Sequence, residues 1–224
     1  MPIVVVEGLR KNYGALAAVD GLGLTIEAGE VIALLGPNGA GKTTTVEILE
    51  GYRKPDRGTV SVLGMDPQTG GRAFRERIGV VLQEAGFEEQ FSPRELIRLH
   101  AGYYPHPRSV DDVIRLVGLE EKADARVRTL SGGQRRRLDL ALGIVGDPEM
   151  LFLDEPTTGF DPSARRKAWD LVDRLRDLGA TILLTTHYLD EASTWRTASS
   201  SSATAGSSHR AHPSSSRPRR ASRQ

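Results

Sequence analysis

Short β-branched runs punctuate the first third of the chain: Ile3–Val6, Leu22–Ile26, Val31–Leu35, Thr59–Leu63 and Ile78–Leu82. Turn-forming strings such as Ala28-Gly29-Glu30 and Lys54-Pro55-Asp56-Arg57-Gly58 separate them, so the pattern predicts strands. Val31–Leu35 is apolar throughout, as expected of a strand buried on both faces of a parallel sheet. From about 91 to 146 the spacing turns helical. Leu138, Ala141, Leu142 and Val145 recur at i, i+3, i+4 and i+7, which defines one face of a helix. Two more apolar runs, Met150–Leu153 and Thr181–Leu184, flank a helical stretch from about Ser163 to Leu178. This alternation predicts an α/β fold with a helical insertion. The pattern stops at Ser193. Of the 32 residues from there, 11 are Ser and six are Arg. They offer little to bury, so 193–224 is expected to be a disordered tail whose residues from about 196 onward touch no core.

Composition narrows the reading further. The 224 residues suffice for one good-sized domain, and the net charge of +1 points to no acidic partner. Charge is unevenly placed, however: residues 1 to 192 hold 24 Lys+Arg against 29 Asp+Glu, a net of −5. A mildly acidic body predicts no nucleic-acid partner. The absence of Cys excludes disulfides, thiolate metal sites and Cys nucleophiles, and fits a reducing compartment. Met1–Tyr13 lacks the basic start and apolar stretch of a signal peptide, and no apolar run approaches the ~20 residues of a membrane span. Any membrane role is expected to come through a partner.

Gly36-Pro-Asn-Gly-Ala-Gly41-Lys42-Thr43 matches G-x-x-x-x-G-K-[ST], between the apolar strand and a helical stretch, Thr44–Leu49. That is the setting in which the motif binds phosphate. Glycines let backbone N–H groups wrap an anion without Cβ clashes, and the helix start adds partial positive charge. Lys42 would supply a point charge to the β/γ-phosphates, and the Thr43 hydroxyl is a hard ligand for Mg²⁺. Met150–Leu153 ends in Asp154 and Glu155. Beside such a loop, Asp154 would hold Mg²⁺ through water and Glu155 would polarise an attacking water as general base. Leu130-Ser131-Gly132-Gly133-Gln134 is rarer still. Ser131-x-x-Gln134 alone fits a helix-capping box, whereas the two glycines would also bare N–H groups to an anion.

Gly36–Thr43, Leu130–Gln134 and Met150–Glu155, in this order, resemble the ATP-binding subunit of ABC transporters. The wording around them, Leu35 to Thr45 and Leu153 to Gly159, looks like the bacterial drug- and antibiotic-export subfamily, daunorubicin-resistance ATPases included. The resemblance covers about residues 3 to 192. It implies a P-loop NTPase core with a mostly parallel sheet, an N-terminal antiparallel β portion and a helical insertion subdomain at about 84–146, all within an ABC ATP-binding domain spanning 1–192. ATP and Mg²⁺ are the implied ligands. Gly36, Pro37, Asn38, Gly39, Ala40, Gly41, Lys42, Thr43 and Thr44 would bind the phosphates, and Tyr13 would stack on adenine. Thr43, Gln83 and Asp154 would serve the metal, and Glu155, His187, Gln83 and Lys42 the hydrolysis. Ser131, Gly132, Gly133 and Gln134 would close over the γ-phosphate of a second ATP-binding subunit, in a head-to-tail dimer expected to be a homodimer. Thr158, Gly159, Phe160 and Asp161 match the loop that crosses this interface.

The implied partner is a polytopic membrane permease, which would hold the chain at the cytoplasmic face of the cell membrane. His100 and His106 match nothing and are expected at the surface; Arg135, Arg136 and Arg137 are expected on a solvated helix face. One alternative is a soluble, non-transport ABC ATPase, although only 47 positions separate Gln83 from Leu130 and leave no room for a long coiled-coil insertion. Another is an inactive, truncated cassette.

The resemblance breaks after Leu189-Asp190-Glu191-Ala192, where the family continues with a segment like Leu-Ala-Asp-Arg-Val, a strand, an Asp-Gly-Arg turn and another strand. If the serines use TCx codons, a one-base shift turns each Ser-Ser junction into Phe, Leu, Ile or Val. Through Ala211 the shifted frame can spell Leu-Ala-Asp-Arg-Val-Val-Val-Ile-Arg-Asp-Gly-Arg-Ile-Val-Ala-Pro-Gly. A frameshift near Ala192–Thr194 is therefore expected.

Overall fold

The computed structural model describes residues 1–81, 86–157, 160, 162–188 and 195–199. Two sheets organise them. Strands β1 (Pro2–Tyr13), β2 (Leu16–Glu27) and β4 (Arg57–Val62) form an antiparallel sheet in the order β2-β1-β4. Strands β3 (Val31–Leu35), β5 (Ile78–Val81), β6 (Met150–Leu153), β7 (Thr181–Thr186) and β8 (Arg196–Ser199) form a sheet in the order β5-β6-β7-β3-β8, and every pair in it is parallel. The helices are α1 (Lys42–Leu49), α2 (Gly71–Arg75), α3 (Pro93–Ala101), α4 (Val110–Val117), α5 (Gly132–Ile144) and α6 (Pro162–Asp177). The expected parallel core, N-terminal antiparallel portion and helical insertion are all present.

Alternation along the central strands divides the interior. Ile32, Leu34, Phe152 and Leu183 face one core with α1 and the antiparallel sheet. Ala33, Leu151, Leu153, Ile182 and Leu184 face the other, with α3, α4, α5 and α6. Period-two side-chain direction thus lets one apolar strand serve two layers. The first two strands are far longer than their apolar runs. Their outer halves carry polar residues on a hairpin, and register shifts around Gly8 (φ +57°) let the pairing continue past the apolar stretch. The short α2 has no apolar period and was not expected.

The tail expectation needs correcting. Arg196–Ser199 is a strand, paired in register with Ile32–Leu35. The half-buried Trp195 packs on one core, its ring edge-on to Trp169 with centroids 6.0 Å apart, and Ala198 packs on the other. Without β8, the flank of β3 away from β7 would leave its N–H and C=O groups unpaired inside the fold. Backbone pairing satisfies them and does not need apolar side chains. The rest of the tail lies outside the described residues.

Candidate active site

Parallel strands deliver their C-terminal ends to one edge of the sheet, and the chemistry collects there. β3 runs into the loop 36–41, whose turn is closed by the Ala40 amide donating to the Pro37 carbonyl. Gly39 (φ +83°) and Gly41 (φ +79°) adopt left-handed conformations, and a Cβ on Gly41 would lie 2.0 Å from the Ala18 carbonyl oxygen. Only glycine fits there. Helix α1 starts without a side-chain cap or an acidic residue in its first turn, so its leading N–H groups are left to an incoming acceptor.

Lys42 is buried, and its Nζ donates to the carbonyls of Gly36 (2.7 Å) and Pro37 (3.1 Å). It also lies 3.8 Å from Glu155 Oε1. Glu155 and the buried Asp154 follow β6. The Thr185 hydroxyl, on β7, donates to Asp154 Oδ1 (2.5 Å) and accepts the Glu155 amide (2.9 Å). Glu155 itself sits at φ +45°, a left-handed conformation that costs a non-glycine residue ~1–3 kcal/mol. His187, just past β7, brings Nδ1 to 3.3 Å from Glu155 Oε1, and that buried nitrogen has no hydrogen-bond partner among the described residues.

A cation, two carboxylates and an imidazole therefore converge before a glycine loop. The donor set fits a phosphate ester with its metal: N–H groups and Lys42 for phosphate, the exposed Thr43 hydroxyl and Asp154 for a hard cation. The uncapped helix start and the orphaned imidazole nitrogen are groups such a ligand would satisfy.

Tyr13 ends β1 and is 42% exposed, with the Arg53 guanidinium 5.4 Å over its ring. Gln83, Thr158, Gly159 and Asp161 lie outside the described residues. Phe160 is half-buried, its amide bonded to the Thr157 carbonyl. Ser131 and Gln134 form the reciprocal capping box at the start of α5 (Gln134 N to Ser131 Oγ 3.3 Å, Ser131 N to Gln134 Oε1 2.9 Å). No hydrogen bond among the described residues joins them to Lys42 or Glu155. Added Cβ atoms on Gly132 or Gly133 would meet nothing within 4 Å, and neither residue has positive φ. This chain does not itself require glycine there.

His106 is exposed as expected, whereas His100 is half-buried with Nδ1 3.0 Å from the Leu96 carbonyl. The three arginines are not a solvated face. Arg135 pairs loosely with Glu89 (3.4 Å), and Arg137 donates to the Gly118 carbonyl (2.8 Å). Arg136 is buried and donates to the carbonyls of Asp154 (3.0 Å) and Pro156 (3.2 Å). Burial lowers its pKa and pushes that of its neighbour Asp139 up to about 6, against the pull of the cation. Helical spacing could not reveal this, because α5 is enclosed on more sides than its apolar stripe implies. Thr185 was also missed as a site residue: a Thr ending an apolar strand has no signature until β6 is beside it.

An ABC transporter family model matches residues 19–158. The chain is 44% identical over 196 residues to the "Nod factor export ATP-binding protein I" of Ralstonia nicotianae, covering 85% of this chain and 61% of that protein. It is 43% identical over 194 residues to the "Daunorubicin resistance ATP-binding protein DrrA3" of Streptomyces coeruleorubidus, covering 84% and 61%. It thus spans about three-fifths of the length of these curated relatives. Among solved structures it resembles cbiO1 of Clostridium perfringens, described as part of the ABC transporter complex cbiONQ, with 32% identity, a TM-score of 0.76, and coverage of 84% and 80%.

Proposed function

Because the chain belongs to the ABC transporter family, we propose that it is the ATP-binding and ATP-hydrolysing subunit of a bacterial exporter. One observation carries the reading: Lys42 and His187 both approach one oxygen of Glu155, at 3.8 and 3.3 Å, in front of an uncapped helix start. In this site the loop amides and Lys42 hold the β- and γ-phosphates, and Tyr13 stacks on the adenine. Thr43, Asp154 and Gln83 would hold Mg²⁺, which when bound would supply charge neutralisation to the phosphates. Glu155 accepts a proton from the attacking water, and His187 donates toward the γ-phosphate.

The site is half of a pair. Gly132 and Gly133 each weaken α5 by up to ~1 kcal/mol relative to Ala, with no conformational or packing need within the chain. Close approach of a second subunit's γ-phosphate supplies the reason. ATP then closes a head-to-tail homodimer, hydrolysis reopens it, and the helical insertion passes the motion to a polytopic permease at the cytoplasmic face of the membrane. The permease in this reading is a separate partner; no helix among the described residues is long and apolar enough to cross a membrane. One relative is named for Nod factor export, which supports export, and another for daunorubicin resistance; a drug or antibiotic is the cargo we propose. The ATP-binding domain, expected over 1–192, takes in β8 as well, and the chain after Ala192 is assigned to a one-base frameshift.

The test is hydrolysis by Glu155→Gln beside Lys42→Ala. Glu155→Gln retains ATP binding and loses at least ~10²-fold in turnover, since only the proton acceptor is removed. Lys42→Ala loses binding itself. Parental turnover in Glu155→Gln would overturn the assignment.

A further inference from the structure

Arg136 is a buried cation for which the chemistry above has no use. It stands on α5 two residues beyond the capping box, and its side chain is 9% exposed. Its Nη2 donates to the Asp154 carbonyl at 3.0 Å and lies 3.5 Å from that of Glu155, while Nε donates to the Pro156 carbonyl at 3.2 Å. Three consecutive carbonyls thus face one planar guanidinium, a match that a single ammonium cannot reproduce. Asp139, one turn further along the same helix and 10% exposed, lies 3.7 Å from Nη1 and balances the charge. Apolar residues fill such a position at least as well as an ion pair, so packing alone does not explain the arginine.

The backbone it grips is the strained one. Glu155 holds its left-handed φ between two restraints: Thr185, which accepts its amide, and Arg136, which takes the carbonyls on either side and approaches its own. Strained conformations persist where the surroundings over-determine them. The second restraint comes from the helix whose first turn is Gly132–Gln134. α5 runs 13 residues from that turn, and the Arg136 side chain links it to the 154–156 turn, so a displacement of its start is carried there.

We propose that Arg136, balanced by Asp139, is a positioning residue that sets the Glu155 carboxylate and ties it to the Ser131–Gln134 end of α5. The inference rests on the reading of Glu155 as general base. Closure of the partner's nucleotide against Gly132 and Gly133 would then adjust the base in this subunit's own site.

The experiment is a double-mutant cycle on the full chain, with Arg136→Lys, Glu155→Gln and the double variant, reading kcat, KM for ATP and melting temperature. Arg136→Lys keeps the charge but not the fork; kcat falls about tenfold or more while KM stays within about twofold, because an interaction acting only at the chemical step is lost. In the Glu155→Gln background the same substitution changes the residual rate by less than about twofold, as expected when one residue acts through the other. A full additional loss in that background, a parental kcat, or a rise in KM at unchanged kcat would each overturn the proposal. If Glu155→Gln alone hydrolyses at the parental rate, the general-base reading fails, and that outcome is distinct from the others. Should Arg136→Lys not fold, Asp139→Asn, which leaves the guanidinium in place, is held to the same criteria with a smaller drop in kcat.

Discussion

Glu50, the residue that closes α1, is 6% exposed, and burial, reinforced by the charges of Asp154 and Glu47, pushes its carboxyl up to about 8. The folded chain therefore keeps Glu50 neutral at pH values where the unfolded chain ionises it. Its contribution is fully present below the ordinary value of 4.5 and is lost as pH rises toward 8, at no more than roughly 1.4 kcal/mol per pH unit. Glu50→Gln removes this linkage. The stability advantage of the Gln variant over the parent should widen from pH 5 to pH 8 and then level off, measured by urea unfolding at several pH values. A constant difference across that range would contradict the assignment. Lys42, Asp154 and Arg136, also buried, have partners among the described residues: Lys42 has carbonyls, Asp154 has Thr185, and Arg136 has three carbonyls and Asp139.

At the level of elements, α5 meets the sheet more closely than most helices can. A Cβ on Gly79 of β5 would fall 2.1 Å from the Gly143 carbonyl oxygen of α5, and one on Gly143 would fall 2.5 Å from Val81 Cγ2. Helix and strand touch through missing side chains, which fixes the height of α5 over the sheet and so the reach of Arg136. Gly79→Ala forces a methyl against backbone that cannot rotate away, and should cost about 1–3 kcal/mol of overpacking. Gly133→Ala, on the same helix but facing open space, should leave the isolated chain as stable or gain up to ~1 kcal/mol of helix propensity. Thermal unfolding of the two variants checks the contrast; equal losses would mean that the Gly79 contact is not a constraint. Gly133→Ala should nonetheless impair hydrolysis, since the space it fills is assigned to the partner's nucleotide.

For the whole molecule, the decisive feature is the seam at β3. Trp195 and β8 cover its flank, yet Thr197-Ala198-Ser199 are modest strand formers, and the shifted frame offers Val in place of the last of them. Ending the chain after Glu191 uncovers β3 and removes the partner of Trp169. For a half-buried Trp this should cost about 2 kcal/mol, or roughly 4–8 °C in Tm. Restoring the frame from codon 193 should instead raise Tm above that of the chain as given. Differential scanning calorimetry of the three chains decides the matter. If the given and frame-restored chains melt together, β8 already completes the sheet and the frameshift has no structural consequence. AGx serine codons in the gene would remove the frameshift idea altogether.

Whatever depends on local order can be read from the chain alone. The apolar run Val31–Leu35, the glycines at 36, 39 and 41 and the Lys that follows specify a strand, a turn and a helix start within 12 residues, because sterics and hydrogen bonding act between chain neighbours. Asp154 and Glu155 were legible for the same reason, as polar residues ending an apolar strand. Tertiary structure decided what depends on residues far apart in the chain. The pairing of Thr185 with Asp154 spans 31 positions, and the hold of Arg136 on the Asp154 carbonyl spans 18. A charge-rich triplet after Gln134 looks solvated until a folded layer closes over its middle member. The strand at Arg196–Ser199 is the sharpest case: its side chains do not ask for burial, and it exists because the exposed flank of β3 needs hydrogen-bond partners that only the assembled sheet reveals.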